Sequence, residues 1–540
     1  MPTEPALGAL PPPAGGLPPG FGLVLDGGTV RANDGHVLVG GTPPRVVRLS
    51  EAGRRQLERL LGGGVVGPSD PAAAALARRL TAAGIAHPRP PAALPPLTVA
   101  VVVPVRDDPA GLARLFDSPG WSAPGLPSVL DEQDRPPDGA APRVAAVIVV
   151  DDGSSDPRAV ATAATAAMPT ARLLRHETCR GPAAARSSGL AAVTSDLVAF
   201  VDADVTLPAG WLAPLVAHFA DPMVAAVAPR VVADEPAPDP ASALRQAPRT
   251  ADHQRCRRQA PGTARRPQDL LAYERLRSPL DLGARPAVVR PGGPVPYVPS
   301  AVLVCRRSAL QAVGGFDPLL RVGEDVDLVW RLDRSGFVVR YEPAVAVGHA
   351  VRPTLAAWLR QRFAYGTSAA VLARRHPGRL APVRTSPATV ALWAAVASGR
   401  PVLGGLLGAA PTPALARQLG GVRHPYVVAA RLLGRGHLAG GTGLAAAARR
   451  EWWLLTVTAL RWRRARPAAA VCLVGLPAVP WFRQRPPLAL WRWLALHLAD
   501  DAAYGAGVWW GCARHRTVAP LVPTVVAVGR RRGRPPASTG

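Results

Sequence analysis

Three apolar runs, VVVPV (101–105), AAVIVV (145–150) and LVAFV (197–201), are rich in β-branched residues and show no polar alternation. Such runs suit strands buried on both faces of a sheet, as happens when helices cover both sides. Ala-rich stretches lie between them, from Asp156 to Ala167 and from Pro182 to Val193, and these read as crossover helices. Strand and helix therefore alternate, which predicts an α/β domain with a doubly wound sheet. Ligands of such sheets bind outside the carboxyl ends of the strands. Two of the runs end there in carboxylates, Asp151-Asp152 and Asp202-Ala203-Asp204. A third acidic cluster, Glu324-Asp325, opens the helical pattern DVDLVWRLDRSG.

Carboxylates in this order suit a nucleotide-diphosphate and divalent-metal site. Sugar transfer from a nucleotide donor makes three demands. The base and ribose must be held, the leaving diphosphate must be neutralised, and the acceptor hydroxyl needs a base. Asp151 and Asp152 precede Gly-Ser-Ser and can accept hydrogen bonds from a base or ribose, with Asp107 reaching the same pocket. A plainer reading makes Asp152 and Ser154 caps of the next helix. Asp202 and Asp204 form a D-x-D, whose alternation sets two carboxylates on one side to grip Mg²⁺ or Mn²⁺. Arg186, in Arg186-Ser-Ser-Gly189 on the adjoining helix, strengthens that reading, and both Arg186 and Asp202 join the nucleotide-sugar-binding candidates. Asp325 is the candidate general base with Glu324 orienting it, although a helix dipole alone also stabilises carboxylates there. His349 follows VVRYEPAVAVGH and either completes the metal shell or is structural.

The net charge is +26 and the pI near 11.5. No lysine is present, all 63 basic residues are arginine, and Asn33 is the single asparagine, a bias that reads as GC-rich codon usage. The arginines look dispersed and no aromatic-basic module stands out, so a nucleic-acid function is not expected. Attraction to an anionic membrane stays open. Five widely spaced cysteines without CxxC predict neither a zinc site nor a disulfide framework, in keeping with a reducing cytosol. The N-terminus has no basic region followed by an apolar one, so no signal peptide is read.

Residues 1–20 are Pro/Gly-rich and expected to be disordered. From 21 to 90 short strand candidates (FGLVLD, TVRAND, HVLVGG, RVVRLS) precede two helices, capped by Ser50 and by Asp70 before Pro71. IAHPRPPAALPP then reads as a proline linker. The catalytic region is placed at 97–375, interrupted by Pro-rich segments at 117–143 and 231–266 that read as lids or disordered insertions. Residues 385–525 are expected to be helical, and 526–540 form a disordered basic tail. No apolar stretch in the C-terminal part reaches 18 residues without a charge or proline, so no secure transmembrane helix is read. Trp and Arg flank an apolar block in TVTALRWRRARPAAAVCLVGLPAVPWF, leaving two readings: association with the membrane's cytoplasmic side, or a fully soluble helical domain.

With these residues in hand, 97–375 resembles the family-2 inverting glycosyltransferases of GT-A fold. The resemblance is carried by VVVPVRDDPAGL, VIVVDDGSSD, RGPAAARSSGLAAVTSDLVAFVDADV and GGFDPLLRVGEDVDLVWRL in this order. It implies that Asp107 and Asp152 bind the nucleotide, Asp204 the metal, and that Asp325 is the base; RQRFAYG (360–366) looks like an acceptor-side helix. The N-terminal unit is similar in pattern to winged-helix peptide-recognition modules. Together with GGTPPRVVRLSEAG and DDAAYGAGVWWG (500–511), the layout looks like the glycosyltransferases of mycofactocin systems. That likeness implies a UDP-sugar donor and β-linked glucose added to a peptide-derived redox cofactor precursor. Two alternatives stay open: a membrane-associated transferase acting on a lipid or wall polysaccharide, and a catalytically silent nucleotide-sugar-binding scaffold.

Overall fold

A computed structural model describes residues 15–121, 142–235 and 265–526. Much of the two Pro-rich segments, the first 14 residues and all but the first residue of the basic tail lie outside that range. The chain divides into two compact units, with the boundary between Trp358 and Leu359.

The first unit begins with a small β+α module. Strands β1 (Gly22–Leu25), β2 (Val30–Ala32), β3 (Val37–Gly40) and β4 (Arg45–Arg48) are followed by helices Glu51–Leu61 and Pro71–Ala82. Ser50 caps the first helix by accepting from Gly53 N–H, and Asp70 caps the second by accepting from Ala73 N–H. The strands form a β2-β3-β4 meander, while β1 pairs with β5 (Ala86–Arg89). β5 corrects the reading of IAHPRPPAALPP as linker throughout. Its Pro88 has no N–H to give, yet a two-stranded ribbon leaves one edge of each strand unpaired, where proline is tolerated. Leu38, Leu57, Leu60, Leu80 and Ile85 form the module's core.

The module is fastened to the sheet domain by polar contacts. Arg78 grips both oxygens of Asp221 at 2.6 and 2.8 Å, and Asp221 is 3% exposed. His87 accepts from Arg340 at 3.4 Å through Nδ1 and donates to Asp26 at 3.0 Å through Nε2. Burial and the Arg340 charge hold the His87 ring below its ordinary pKa, so it stays neutral in this bridge.

The central sheet contains β6 (Thr98–Val105), β7 (Arg143–Asp152), β8 (Arg172–His176), β9 (Leu197–Val201), β10 (Val205–Thr206), β11 (Val224–Asp234), β12 (Ala287–Val288), β13 (Val302–Arg306) and β14 (Val338–Ala350). Its order is β10-β14-β11-β13-β9-β6-β7-β8, with β12 added against β14. β8, β7, β6 and β9 run parallel; β13 enters antiparallel between β9 and β11. The predicted α/β class with its doubly wound core is thus present. All five residues of β9 are buried, as its unbroken apolar run requires. Helices Pro157–Ala167, capped by Asp156, and Pro182–Ala191 are the crossovers. The chain leaves β6 to one side for β7 and β8 and returns to the other for β9. The carboxyl ends of β6, β7 and β9 therefore flank a topological switch point.

The second unit is mostly α-helical, with long helices Pro425–Arg450 and Leu490–Arg514. Glycines allow backbones to touch: a Cβ on Gly505 would lie 2.1 Å from Arg450 O, and one on Gly507 2.1 Å from Phe363 O. No helix among the described residues is long and apolar enough to cross a membrane.

Candidate active site

At the end of β6, Asp107 adopts a left-handed backbone (φ 53°) that turns its carboxylate toward the next loop. Oδ1 accepts from both the N–H and hydroxyl of Ser155 at 2.8 Å, while Asp107 N–H donates to Ser154 Oγ. Those donors hold its carboxyl below the usual range. Oδ2 faces Arg106 at 3.4 Å.

At the end of β7 the two aspartates diverge. Asp151 is buried and accepts from Ser154 N–H, tightening the turn through Gly153. Asp152 accepts from His176 Nδ1 at 2.7 Å, Arg180 N–H at 2.9 Å, Gly181 N–H at 2.7 Å and the Cys179 thiol at 3.4 Å. Burial opposes its ionisation, but these donors outweigh it and keep the carboxyl below its ordinary pKa. His176 in turn faces Ser188 through Nε2 at 2.9 Å. Asp152 therefore organises the 179–181 loop, and Asp107 is the more exposed of the pair.

Arg186 stands at the centre. It is 3% exposed and lies between two carboxylates, Asp202 Oδ1 at 2.6 Å and Glu324 Oε1 at 2.7 Å. Its guanidinium also stacks over Phe316 at 5.5 Å. Burial opposes its charge, yet Asp202 and Glu324 more than compensate and raise its pKa further. Its direct polar partners are the site's own carboxylates.

Glu324 and Asp325 begin the helix Glu324–Arg334, entered through Gly323 at φ 81°. Burial and the neighbouring Asp325 push Glu324 up to about 7 against the pull of Arg186. Burial also raises Asp325, opposed by the Val326 N–H at 2.7 Å, the Arg186 charge and the Ser300 N–H at 3.3 Å. A carboxylate so held is a stronger base than a solvated one.

Asp202, Asp204 and His349 each offer a ligand atom within 4.8 Å of the others. The antiparallel pairing of Val205 with His349 brings the imidazole beside Asp204, at 3.4 Å from Nε2 to Oδ1. Arg352 approaches the other Asp204 oxygen at 3.5 Å. Two hard carboxylates with one imidazole form a donor set that fits Mn²⁺ or Mg²⁺.

Two family models match this chain, Glycosyl transferase family 2 over residues 140–272 and Glycosyl transferase family group 2 over 276–496. Over 520 residues the chain is 37% identical to the Pre-mycofactocin glycosyltransferase of Mycobacterium tuberculosis, in strains CDC 1551 and H37Rv alike, covering 94% of this chain and 98% of that one.

The chain belongs to glycosyl transferase family 2.

This family-2 glycosyltransferase also matches mouse Polypeptide N-acetylgalactosaminyltransferase 15, 28% identical over 212 residues, covering 38% of this chain and 30% of that one. Among solved structures it is similar to the mannosyltransferase PcManGT from Pyrobaculum calidifontis in complex with GDP-Man and Mn²⁺, at 19% identity and TM-score 0.34, covering 74% of this chain and 90% of that one. In this transferase Asp107, Asp151, Asp152, Asp202 and Asp204 lie at or just past the carboxyl ends of β6, β7 and β9, whereas Glu324 and Asp325 open a helix. The sequence reading did not find His176 or Ser300. RLLRH before the loop is a short strand-like signal for the first; the second acts through its backbone, which no residue type announces.

Proposed function

We propose that this glycosyltransferase moves a hexose, glucose by preference, from a UDP-sugar onto a hydroxyl of a peptide-derived redox cofactor precursor, inverting the anomeric configuration. The observation that carries the chemistry is the convergence of the Asp202/Asp204/His349 cluster and the Glu324-Asp325 pair on one buried arginine. The acceptor class rests on the end-to-end similarity to the pre-mycofactocin enzyme.

Asp107 and the 151–155 turn hold the base and ribose; Asp152 does so through the loop it organises. Asp202, Asp204 and His349 would hold a divalent cation, which would supply the charge that offsets the leaving diphosphate. Asp325 accepts the proton of the acceptor hydroxyl as that oxygen attacks the anomeric carbon from the face opposite the leaving group. Glu324, tied to Arg186, fixes the position of its neighbour. General base catalysis of this kind contributes roughly 10² to 10⁴ in rate.

The test is incubation with UDP-glucose, Mg²⁺ or Mn²⁺ and the aglycone precursor, read by mass spectrometry. Successive hexose additions that vanish in Asp325→Asn are expected. Tight donor binding without any addition would overturn the acceptor and direct the search to lipid or wall hydroxyls; an α-linked product from an α-configured donor would overturn inversion.

A further inference from the structure

The net charge of +26 is not spread along the chain. Residues 359–540 hold 26 arginines against three carboxylates, Glu451, Asp500 and Asp501, and so carry +23 of it. Codon bias explains arginine in place of lysine, but not the loss of acids from one part only. The three carboxylates are turned inward. Arg449 donates to Asp501 at 2.7 Å, Arg362 faces Asp500 at 3.0 Å, and Glu451 is 8% exposed. Among the described residues of this unit no carboxylate is exposed, and the outer surface is cationic.

The same unit exposes large apolar side chains. Between Trp453 and Trp491 a short helix (Trp453–Ala459) is followed by a helical run in which Arg466–Ala470 and Leu476–Gln484 are joined through the π turn Val471–Gly475. Leu455 is 69% exposed, Trp462 63%, Phe482 53% and Trp491 67%. Arg461, Arg463, Arg464, Arg466, Arg483 and Arg485 are exposed among them. Arg485 lies over the Trp481 ring at 5.3 Å and Arg492 over Trp491 at 5.1 Å. Few soluble surfaces place so many large exposed apolar side chains along one segment. No described helix here is long and apolar enough to cross a bilayer, and Trp and Leu interleaved with Arg have the make-up of helices lying in the headgroup plane.

We propose that residues 453–492 dock on the surface of an anionic lipid bilayer, the Trp, Leu and Phe side chains entering the acyl boundary and the arginines pairing with lipid phosphates. Charge selects the occupant's sign, and the apolar side chains select lipid over nucleic acid, which would satisfy the arginines and leave Leu455 and Phe482 in water. The surface tethers the enzyme without a spanning helix.

Flotation of the full chain with vesicles tests this. Vesicles of phosphatidylcholine mixed with phosphatidylglycerol should bind it at least about tenfold better than phosphatidylcholine alone, since each arginine near an anionic surface adds roughly fivefold. Tryptophan emission should shift to the blue on binding. Trp462→Ser with Trp491→Ser should lower vesicle binding and the blue shift while leaving the melting temperature unchanged. Arg463→Gln with Arg464→Gln should abolish most of the preference for phosphatidylglycerol and keep the melting temperature. Absence of binding to the anionic vesicles overturns the proposal. So does binding without a blue shift that a DNA duplex competes away entirely.

Discussion

Arg186 lies 2.7 Å from Glu324 Oε1, and that contact joins the Glu324-Asp325 pair to the Asp202/Asp204/His349 cluster. Its other terminal nitrogen holds Asp202, a member of the metal cluster, at 2.6 Å. One buried cation thus fixes carboxylates from two separate acidic clusters.

Removing it should be costly. Arg186→Ala leaves Glu324 buried and unpaired, a defect worth about 3–5 kcal/mol. Arg186→Lys should rescue little, because an ammonium cannot span two acceptors in fork geometry. The melting temperature should fall in both variants, and donor turnover should fall with it. A Lys variant with wild-type stability and turnover would show that the fork is dispensable.

Asp325→Asn keeps shape and removes basicity. We expect kcat to drop by about 10² to 10⁴ while the affinity for UDP-sugar, read by calorimetry, changes little. A variant that loses donor binding instead would move Asp325 from proton transfer to substrate holding.

The pH dependence has a defined sign. The folded-state pKa of Glu324 is about 7, above the ordinary 4.5, so the folded chain keeps a proton that the unfolded chain releases. Its contribution to stability is fully present below the ordinary value and is lost as pH rises toward 7. The loss amounts to about 3 kcal/mol as an upper bound. Melting temperature should therefore decline over that window, and Glu324→Gln should flatten the decline. Activity runs the other way: kcat/KM should fall as pH drops through the range in which the Glu324-Asp325 pair takes up its proton.

Asp204→Asn and His349→Ala should each weaken Mn²⁺ binding by at least about tenfold, measured by calorimetry on the protein without donor. Unchanged affinity in His349→Ala would confine the imidazole to a structural role.

Gly153 turns the chain after Asp152 at φ 71°, and a Cβ there would lie 2.6 Å from Cys179 N. Gly153→Ala should cost about 1–3 kcal/mol and raise the KM for donor, because the 179–181 loop must move away. Thermal melts and donor titration check both.

The strands bearing the aspartates were legible because LVAFV and AAVIVV admit little else than a doubly buried strand, and Ser50 and Asp70 announced helix starts by type and position, while the helix after β7 is capped by Asp156 and not by the Asp152 or Ser154 the sequence offered. What stayed hidden depended on pairing across long separations. His349 reaches Asp204 through a strand pair joining residues 144 positions apart, register Val205 to His349. Arg186 was read as a donor-binding residue from its neighbourhood, and nothing in the order of residues says that Glu324 would take its second nitrogen. Pro88 hid β5 because proline argues against strands in general and only ribbon edges excuse it. The charge asymmetry was in plain view, but averaging over 540 residues concealed it.

The Arg78–Asp221 clamp bears on how the gene can be cut. Trimming the chain to begin at Leu97 would leave Asp221 without its guanidinium partner and Arg340 without the imidazole that covers it. Both are nearly buried, at 3% and 2% exposure. Shortened versions made for crystallisation, or swaps of the N-terminal module between relatives, would open a charged wound in the sheet domain unless both sides were exchanged together. The module is grafted, not appended.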